Sequence, residues 1–165
     1  METAVALGSN LGDRAAHLRA GIAFLEGLSR DGLVEVSRFY ETEPMDCPPG
    51  SGAFLNAVAI IDSGLAPEAL LARMLEFERA MGRPERRARN APRPLDLDLL
   101  YCGDMIRDTA ALALPHPRLA SRRFVLQPLC DLRPGRVLPG QERTVRELLA
   151  ALPEEGILRC DPSHR

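Results

Sequence analysis

A chain of 165 residues with 45% hydrophobic side chains can bury a real core, so one domain over residues 1–152 with a fraying tail at 153–165 is the expectation. All 21 basic residues are arginine and none is lysine, which excludes a Walker-type P-loop, a kinase-type phosphate lysine and a Schiff-base lysine. A net charge of −2 disfavours a nucleic-acid wrapping surface, whose binding depends on releasing counterions from many phosphates.

Met1-Glu2-Thr3 lacks the basic start of a signal peptide, and no apolar run suffices for a membrane span. Cys47, Cys102, Cys130 and Cys160 form no C-x-x-C pair, so reduced thiols in the cytoplasm are expected. Thr3 to Leu7 is a short apolar run closed by Gly8-Ser9-Asn10, the pattern of a buried strand entering a tight turn. Ala15, Leu18, Ile22 and Leu25 then recur at helical spacing behind Asn10 or Asp13 as caps, which predicts a helix over about residues 12–28. Leu33 to Glu41, rich in valine and aromatics, and Phe54 to Asp62 predict a second and a third strand. Between them Thr42 to Ala53 carries three prolines and two glycines, and a long connection of this kind is a candidate lid or binding loop.

Pro67 suits a first helical residue, Leu70, Met74, Phe77 and Met81 mark an apolar stripe, and Gly82 is a natural stop. Leu95 to Tyr101 predicts the next strand. Helices over Pro117 to about Leu129 and over Thr144 to Leu152 complete the domain. Short strands alternating irregularly with helices argue for an α+β fold, with helices packed on a largely antiparallel sheet, and against a doubly wound parallel sheet.

The chemistry concentrates between Arg83 and Asp98. Side chains alternate along a strand, so Leu95, Leu97 and Leu99 face one way while Asp96 and Asp98 share the opposite face. Carboxylate oxygens with the remaining positions left to water and phosphate are the Mg²⁺ pattern, although D-x-D is common and a solvated strand face shows the same spacing. Upstream lie Arg83, Arg86, Arg87, Arg89 and Arg93, whose guanidinium groups suit bidentate phosphate contacts and stay charged when buried. A solvated basic loop is the bland reading, weakened by Pro92 and Pro94, which stiffen the segment. Glu78, one turn before the end of its helix, could reach a base or ribose or serve as a surface salt-bridge partner. Phe54 and Asn56 share a strand face, giving a flat apolar surface beside an amide that both donates and accepts. His116 lies in a loop between two prolines and could reach a phosphate oxygen.

These residues, with Gly8-Ser9-Asn10-Leu11-Gly12, Phe39-Tyr40-Glu41-Thr42, Phe54-Leu55-Asn56-Ala57, the R-x-A-P-R-x-L-D-L-D block ending at Asp98, Pro115-His116 and Arg122-Arg123-Phe124-Val125-Leu126, resemble the 6-hydroxymethyl-7,8-dihydropterin pyrophosphokinase family through nearly the whole chain. The resemblance implies a ferredoxin-like α+β fold, with helices on both faces of the sheet. It implies two Mg²⁺ ions on Asp96 and Asp98, with ATP as co-substrate and folate biosynthesis as the setting. It also implies a pterin stacked between Phe54 and Phe124, with its edge bonded to Asn56 and to backbone around Thr42, Pro44 and Met45. Glu78, Arg83, Arg93, Leu99, His116 and Arg122 fall on family ATP-binding positions, and Arg83 and Arg93 join the two aspartates in catalysis. Glu85, Asn90 and Pro117 depart from residues common in the family.

The expected reaction is in-line attack of the pterin hydroxymethyl oxygen on the β-phosphorus of MgATP, with AMP leaving and Asp98 as the best candidate for lowering the alcohol's proton affinity. Small molecules are the expected partners, with no nucleic acid and no membrane, on a monomer or weak homodimer. The main alternative is a two-metal nucleotidyl transferase or cyclase on a similar scaffold. An RNA-binding domain would need more sheet aromatics than five Phe and two Tyr, and a metal-dependent nuclease usually wants a lysine.

Overall fold

The computed structural model describes residues 1–43, 50, 52–83, 91–154 and 159–160. Strand β1 (Glu2–Ser9) is followed by helix α1 (Arg14–Leu28), strands β2 (Ser29–Val36), β3 (Tyr40–Thr42) and β4 (Phe54–Ser63), and helix α2 (Pro67–Ala80). Then come β5 (Asp96–Cys102), a short hairpin of β6 (Arg107–Asp108) and β7 (Ala113–Leu114), a 3-10 turn at Leu119–Ser121, α3 (Arg123–Leu132), α4 (Val145–Ala151) and β8 (Arg159–Cys160). The main sheet runs β5-β1-β4-β3-β8 with β2 also on β4, and its pairings are antiparallel. Among the described residues no helix is long and apolar enough to cross a membrane.

Alternation along β1 decides which side chains meet which helices. Val5 and Leu7 join Leu55, Ala57, Ala59, Ile61, Leu97 and Leu99 in one core with Leu18 and Leu25 of α1 and Leu70 and Met74 of α2. Ala4 joins Val58, Ile60 and Tyr101 in a second core with Val125, Leu126 and Leu129 of α3 and Val145, Leu148 and Leu149 of α4. Helix α1 starts where Asp13 Oδ1 accepts the Ala16 amide at 3.0 Å, a side-chain cap on an otherwise orphan donor. It rests on the sheet through Gly21: a Cβ there would stand 2.9 Å from Leu7 Cδ2 and 3.2 Å from Leu95 Cδ2. Rings of Phe24 and Phe77, stacked at 4.2 Å, join α1 to α2. Thr144 and Glu147 close a reciprocal capping box at the start of α4.

Three expectations change. The strand expected over Leu33 to Glu41 is two strands, because Ser37 interrupts the ladder: its amide donates to the Val58 carbonyl and its Oγ accepts the Val58 amide, both at 2.9 Å. The helix expected from Pro117 is a 3-10 turn and a separate α3, broken at Arg122, whose backbone is extended (φ −109°, ψ 105°). The tail expected to fray contributes β8, which pairs with β3 through Tyr40↔Cys160 and Glu41↔Arg159.

The contact at Gly21 yields a stability prediction. Gly21→Val forces branched carbon into the Leu7 and Leu95 methyls and should lower the unfolding free energy by about 1–3 kcal/mol, read from the midpoint of urea denaturation at constant slope.

Candidate active site

Register places the site. Gly8 pairs with Asn56 on β4 and with Asp96 on β5, while Ala6 pairs with Val58 and Asp98. Residues in register across neighbouring strands share a face, so Asn56, Gly8 and Asp96 form one row and Val58, Ala6 and Asp98 the next. The expectation that Asp96 and Asp98 share a face opposite Leu95, Leu97 and Leu99 holds, those leucines being 0%, 5% and 4% exposed. The face carrying the acids is not a bare solvent face, since it also carries the core under α3 and α4.

With no side chain at Gly8 the row is open in the middle. A Cβ there would stand 3.1 Å from Asn56 Oδ1 and 3.8 Å from the Phe54 ring. The Asn56 amide is buried and donates through Nδ2 to Thr42 Oγ1 at 2.8 Å, and Thr42 itself pairs with Phe54. Phe124 lies in the first turn of α3, with the Arg122 guanidinium carbon 5.5 Å from its ring centroid, a cation–π arrangement. The break at Arg122 thus sets an arginine and an aromatic together at the start of α3.

Arginines surround the carboxylates. Arg83 and Arg93 each approach Asp96 Oδ1 through Nη1, at 3.4 and 3.3 Å. Arg83 also pairs with Glu78. Glu78 is 1% exposed, which corrects the surface salt-bridge option. Its Oε2 holds Arg83 and its Oε1 accepts the Leu97 amide at 2.6 Å, so one buried carboxylate of α2 ties Arg83 to the strand that carries the acids. Burial raises the Glu78 pKa, with the Asp96 charge adding and the Leu97 and Arg83 bonds opposing.

Asp98 is pushed up to about 6, first by burial and then by the neighbouring Asp96 charge, against the pull of Arg122, Arg93 and Arg83. Two carboxylates in this state suit a hard divalent cation, whose charge relieves both the burial and the repulsion. No group of three or more His, Cys, Asp or Glu that could hold a metal occurs among the described residues. His116 has its pKa lowered by burial and by Arg122 and Arg118. Its Nδ1 accepts the Arg118 amide at 3.1 Å, so the neutral ring carries its proton on Nε2 and can donate there.

The sequence reads Asn10 as a turn residue and candidate helix cap, and its bond to Arg93 is the functional link that this reading misses. The Asn10 amide donates to the Arg93 carbonyl at 3.3 Å, and Asn10 Oδ1 accepts the Arg93 amide at 2.8 Å. This residue is 6% exposed, and its Nδ2, like Arg93 Nε, is buried without a hydrogen-bond partner among the described residues. The signal was available in Gly8-Ser9-Asn10, which reads as a turn until its asparagine is set against Arg93. Leu99 presents its side chain to the α1/α2 core. Pro44, Met45, Glu85, Arg86, Arg87, Arg89 and Asn90 lie outside the described residues.

Residues 4–134 match the model of the 7,8-dihydro-6-hydroxymethylpterin-pyrophosphokinase (HPPK) family. The chain is 43% identical over 155 residues to a 2-amino-4-hydroxy-6-hydroxymethyldihydropteridine pyrophosphokinase of Pseudomonas aeruginosa, covering 94% of each. It is 40% identical over 156 residues to the protein of that name in Methylorubrum extorquens, covering 94% of this chain and 96% of the relative. Among solved structures it is similar to an HPPK-DHPS chain in complex with substrates, with a TM-score of 0.72 at 12% identity over 91% of this chain and 45% of that one. A Plasmodium falciparum HPPK-DHPS gives 0.68 at 14% identity, over 90% of this chain and 43% of that one. The chain therefore spans under half the length of those two, and at such identities the likeness speaks to fold.

The raised Asp98 pKa has a definite sign. A carboxyl that binds its proton more tightly folded than unfolded stabilises the fold most below the ordinary value of 3.8, and that stabilisation is lost as pH rises through about 6. In chelator-treated protein, Asp98→Asn should remove this component, raising the urea midpoint relative to the parent at pH values above that window and not below it. Parallel midpoint-against-pH curves for the two proteins would contradict the assignment.

Proposed function

The chain belongs to the 7,8-dihydro-6-hydroxymethylpterin-pyrophosphokinase family, and from that premise we propose that Asp96, Asp98, Arg83, Arg93 and Arg122 form the centre at which it works. It is a diphosphotransferase of folate synthesis: it moves the terminal pyrophosphoryl group of ATP to the hydroxymethyl group of 6-hydroxymethyl-7,8-dihydropterin, and AMP leaves. The nucleotidyl transferase or cyclase alternative is not favoured by the family match.

The observation that carries the residue assignment is the row Asn56–Gly8–Asp96. Two strand spacings separate its ends, about 10 Å, a span that a two-ring heterocycle with a short side arm bridges. In this reading the pterin lies between Phe54 and Phe124, its polar edge meets the Asn56 amide beside Thr42, and its hydroxymethyl arm passes over Gly8 toward the acids. Mg²⁺ on Asp96 and Asp98, two ions in this reading, would neutralise charge on the triphosphate and lower the proton affinity of the attacking alcohol.

The protein's own groups supply positioning and fixed charge. The contact of Arg93 with Asp96 is long for a charge-assisted bond, so its fork is available to β- and γ-phosphate oxygens, and Arg83, whose Nη1 is held by Glu78, offers its other N–H groups. Glu78 acts through Arg83, keeping it registered to β5. Arg122 offers charge on the side of Asp98, and His116 offers its Nε2 proton to a phosphate or ribose oxygen. Leu99, its side chain committed to the core, can meet the nucleotide only through its main chain. Such groups accelerate transfer by holding reactants in line and by meeting charge that grows in the transition state.

The same reading takes the fold as ferredoxin-like in three layers, supported by a core on each face of the sheet. It takes residues 1–152 as the catalytic domain with 153–165 as its tail, a monomer or weak homodimer in the cytoplasm.

Phosphorus NMR of ATP and Mg²⁺ with this protein should show AMP only when 6-hydroxymethyl-7,8-dihydropterin is added; pyrophosphate release would refute the reaction. Asp98→Ala should cut turnover by about 10³-fold or more while pterin still quenches or shifts its own fluorescence on binding. An unchanged rate would remove Asp98 from the centre.

A further inference from the structure

Strand β3 is three residues long, and in its register Tyr40, Glu41 and Thr42 face Asn56, Leu55 and Phe54. Alternation puts Tyr40 and Thr42 on the face of Asn56 and Phe54, and Glu41 on the opposite face, toward α1. There Arg14, the first residue of α1, uses one guanidinium for both sides of the segment between Thr42 and Phe54. Its Nη1 donates to the Ala53 carbonyl at 2.8 Å and its Nη2 to Glu41 Oε1 at 2.8 Å. The helix that carries Arg14 is itself pinned by the Asp13 cap and by Gly21 against the sheet.

We propose that Arg14 is a positioning residue for the pterin pocket, a fork on the back of the sheet that fixes Thr42 and Phe54 relative to α1 without touching substrate. A pairing of three residues holds its own geometry weakly. Two bonds from one rigid planar group add a constraint in two directions, which a lysine with a single point charge cannot reproduce. Ala53 directly precedes Phe54 and Glu41 directly precedes Thr42, so a shift at either bond displaces a pocket residue at the next position. Among the described residues Arg14 itself bonds Ala53 and Glu41 and none of the arginines around Asp96, so its loss should be felt by the pterin more than by the nucleotide.

This inference rests on the functional reading above, and the experiment separates the two. Steady-state AMP formation is measured for the parent, Arg14→Ala and Arg14→Lys, varying pterin and ATP in turn, with thermal midpoints recorded for each. Arg14→Ala should raise the pterin KM about tenfold and leave the ATP KM and kcat within about twofold. Arg14→Lys, which keeps charge and one bond, should fall between. A parent that makes no AMP with the pterin would defeat the functional reading and this inference with it. A working parent with an unchanged pterin KM in Arg14→Ala, or with both KM values raised alike, would overturn the role of Arg14 alone. If Arg14→Ala does not fold, Arg14→Lys decides on the same split.

Discussion

Two carboxylates on one face of a strand repel, and partial burial makes that repulsion costlier than it is in water. Asp96 and Asp98 are held in this position by β5, and Asp98, first through its own burial and then through the Asp96 charge, keeps its proton up to about 6. The surrounding charge is arranged around that conflict, with Arg83 and Arg93 against Asp96 and Arg122 toward Asp98. Because the basic side chains around these acids are all guanidinium groups, this balance cannot relax by deprotonating its positive members, as a lysine would allow. On the proposed assignment a metal-bound triphosphate would bring both signs of charge at once, cations for the acids and phosphate oxygens for the forks.

Forks of this length are useful only if they cannot wander, and buried polar groups hold them. Glu78 would be a poor choice for a core position on hydrophobicity alone, since an ionised carboxylate loses heavily on leaving water. It is tolerated because both oxygens have fixed donors, one on Arg83 and one on the Leu97 amide, which oppose without cancelling the upward push of burial on its pKa. Asn10 does the same for Arg93 through the main chain. By contrast Arg73 and Glu76, exposed and 3.9 Å apart, are an ion pair of the kind that contributes little. The difference is burial and geometry, not the number of pairs.

Period-two alternation made the centre of the site readable without coordinates. Leu95-Asp96-Leu97-Asp98-Leu99 and Phe54-Leu55-Asn56 each reveal which residues share a face, and both patterns hold in the fold. Register between strands is not written in any one strand, so the row Asn56–Gly8–Asp96 could not be seen in advance. Ser37 shows a second limit: a side-chain hydroxyl replaces a ladder partner, splitting a strand whose composition gives no sign of it. Arg122 shows a third, since its residue type suits a helix interior while in the fold it is the N-cap of α3, a position whose backbone is ordinarily extended. Glu78 read as an edge residue because spacing places it near the stripe, while its burial depends on Arg83 and on an amide nineteen positions away. Tail residues 159–160 read as frayed because two residues carry no periodic signal, and they pair only because β3 offers an edge.

Strand β1 meets two opposite requirements, and they explain its sequence. Toward α1 and α2 it must fill space, and Val5 and Leu7 do so at 0% and 1% exposure. Toward the site it must leave space, and the residues there shrink from Ala4 and Ala6 to Gly8 as the strand approaches the row between amide and acid. A methyl at Gly8 would press on Asn56 Oδ1 at 3.1 Å. The amide could yield only by turning on its own χ angles, which would loosen its bond to Thr42. The glycine is not needed for an unusual backbone angle, since it sits inside a regular antiparallel pairing on both sides, where glycine ordinarily weakens a strand. Its presence at a central position of the sheet costs stability and leaves open the space between Asn56 and Asp96, which is what the proposed placement of the pterin requires.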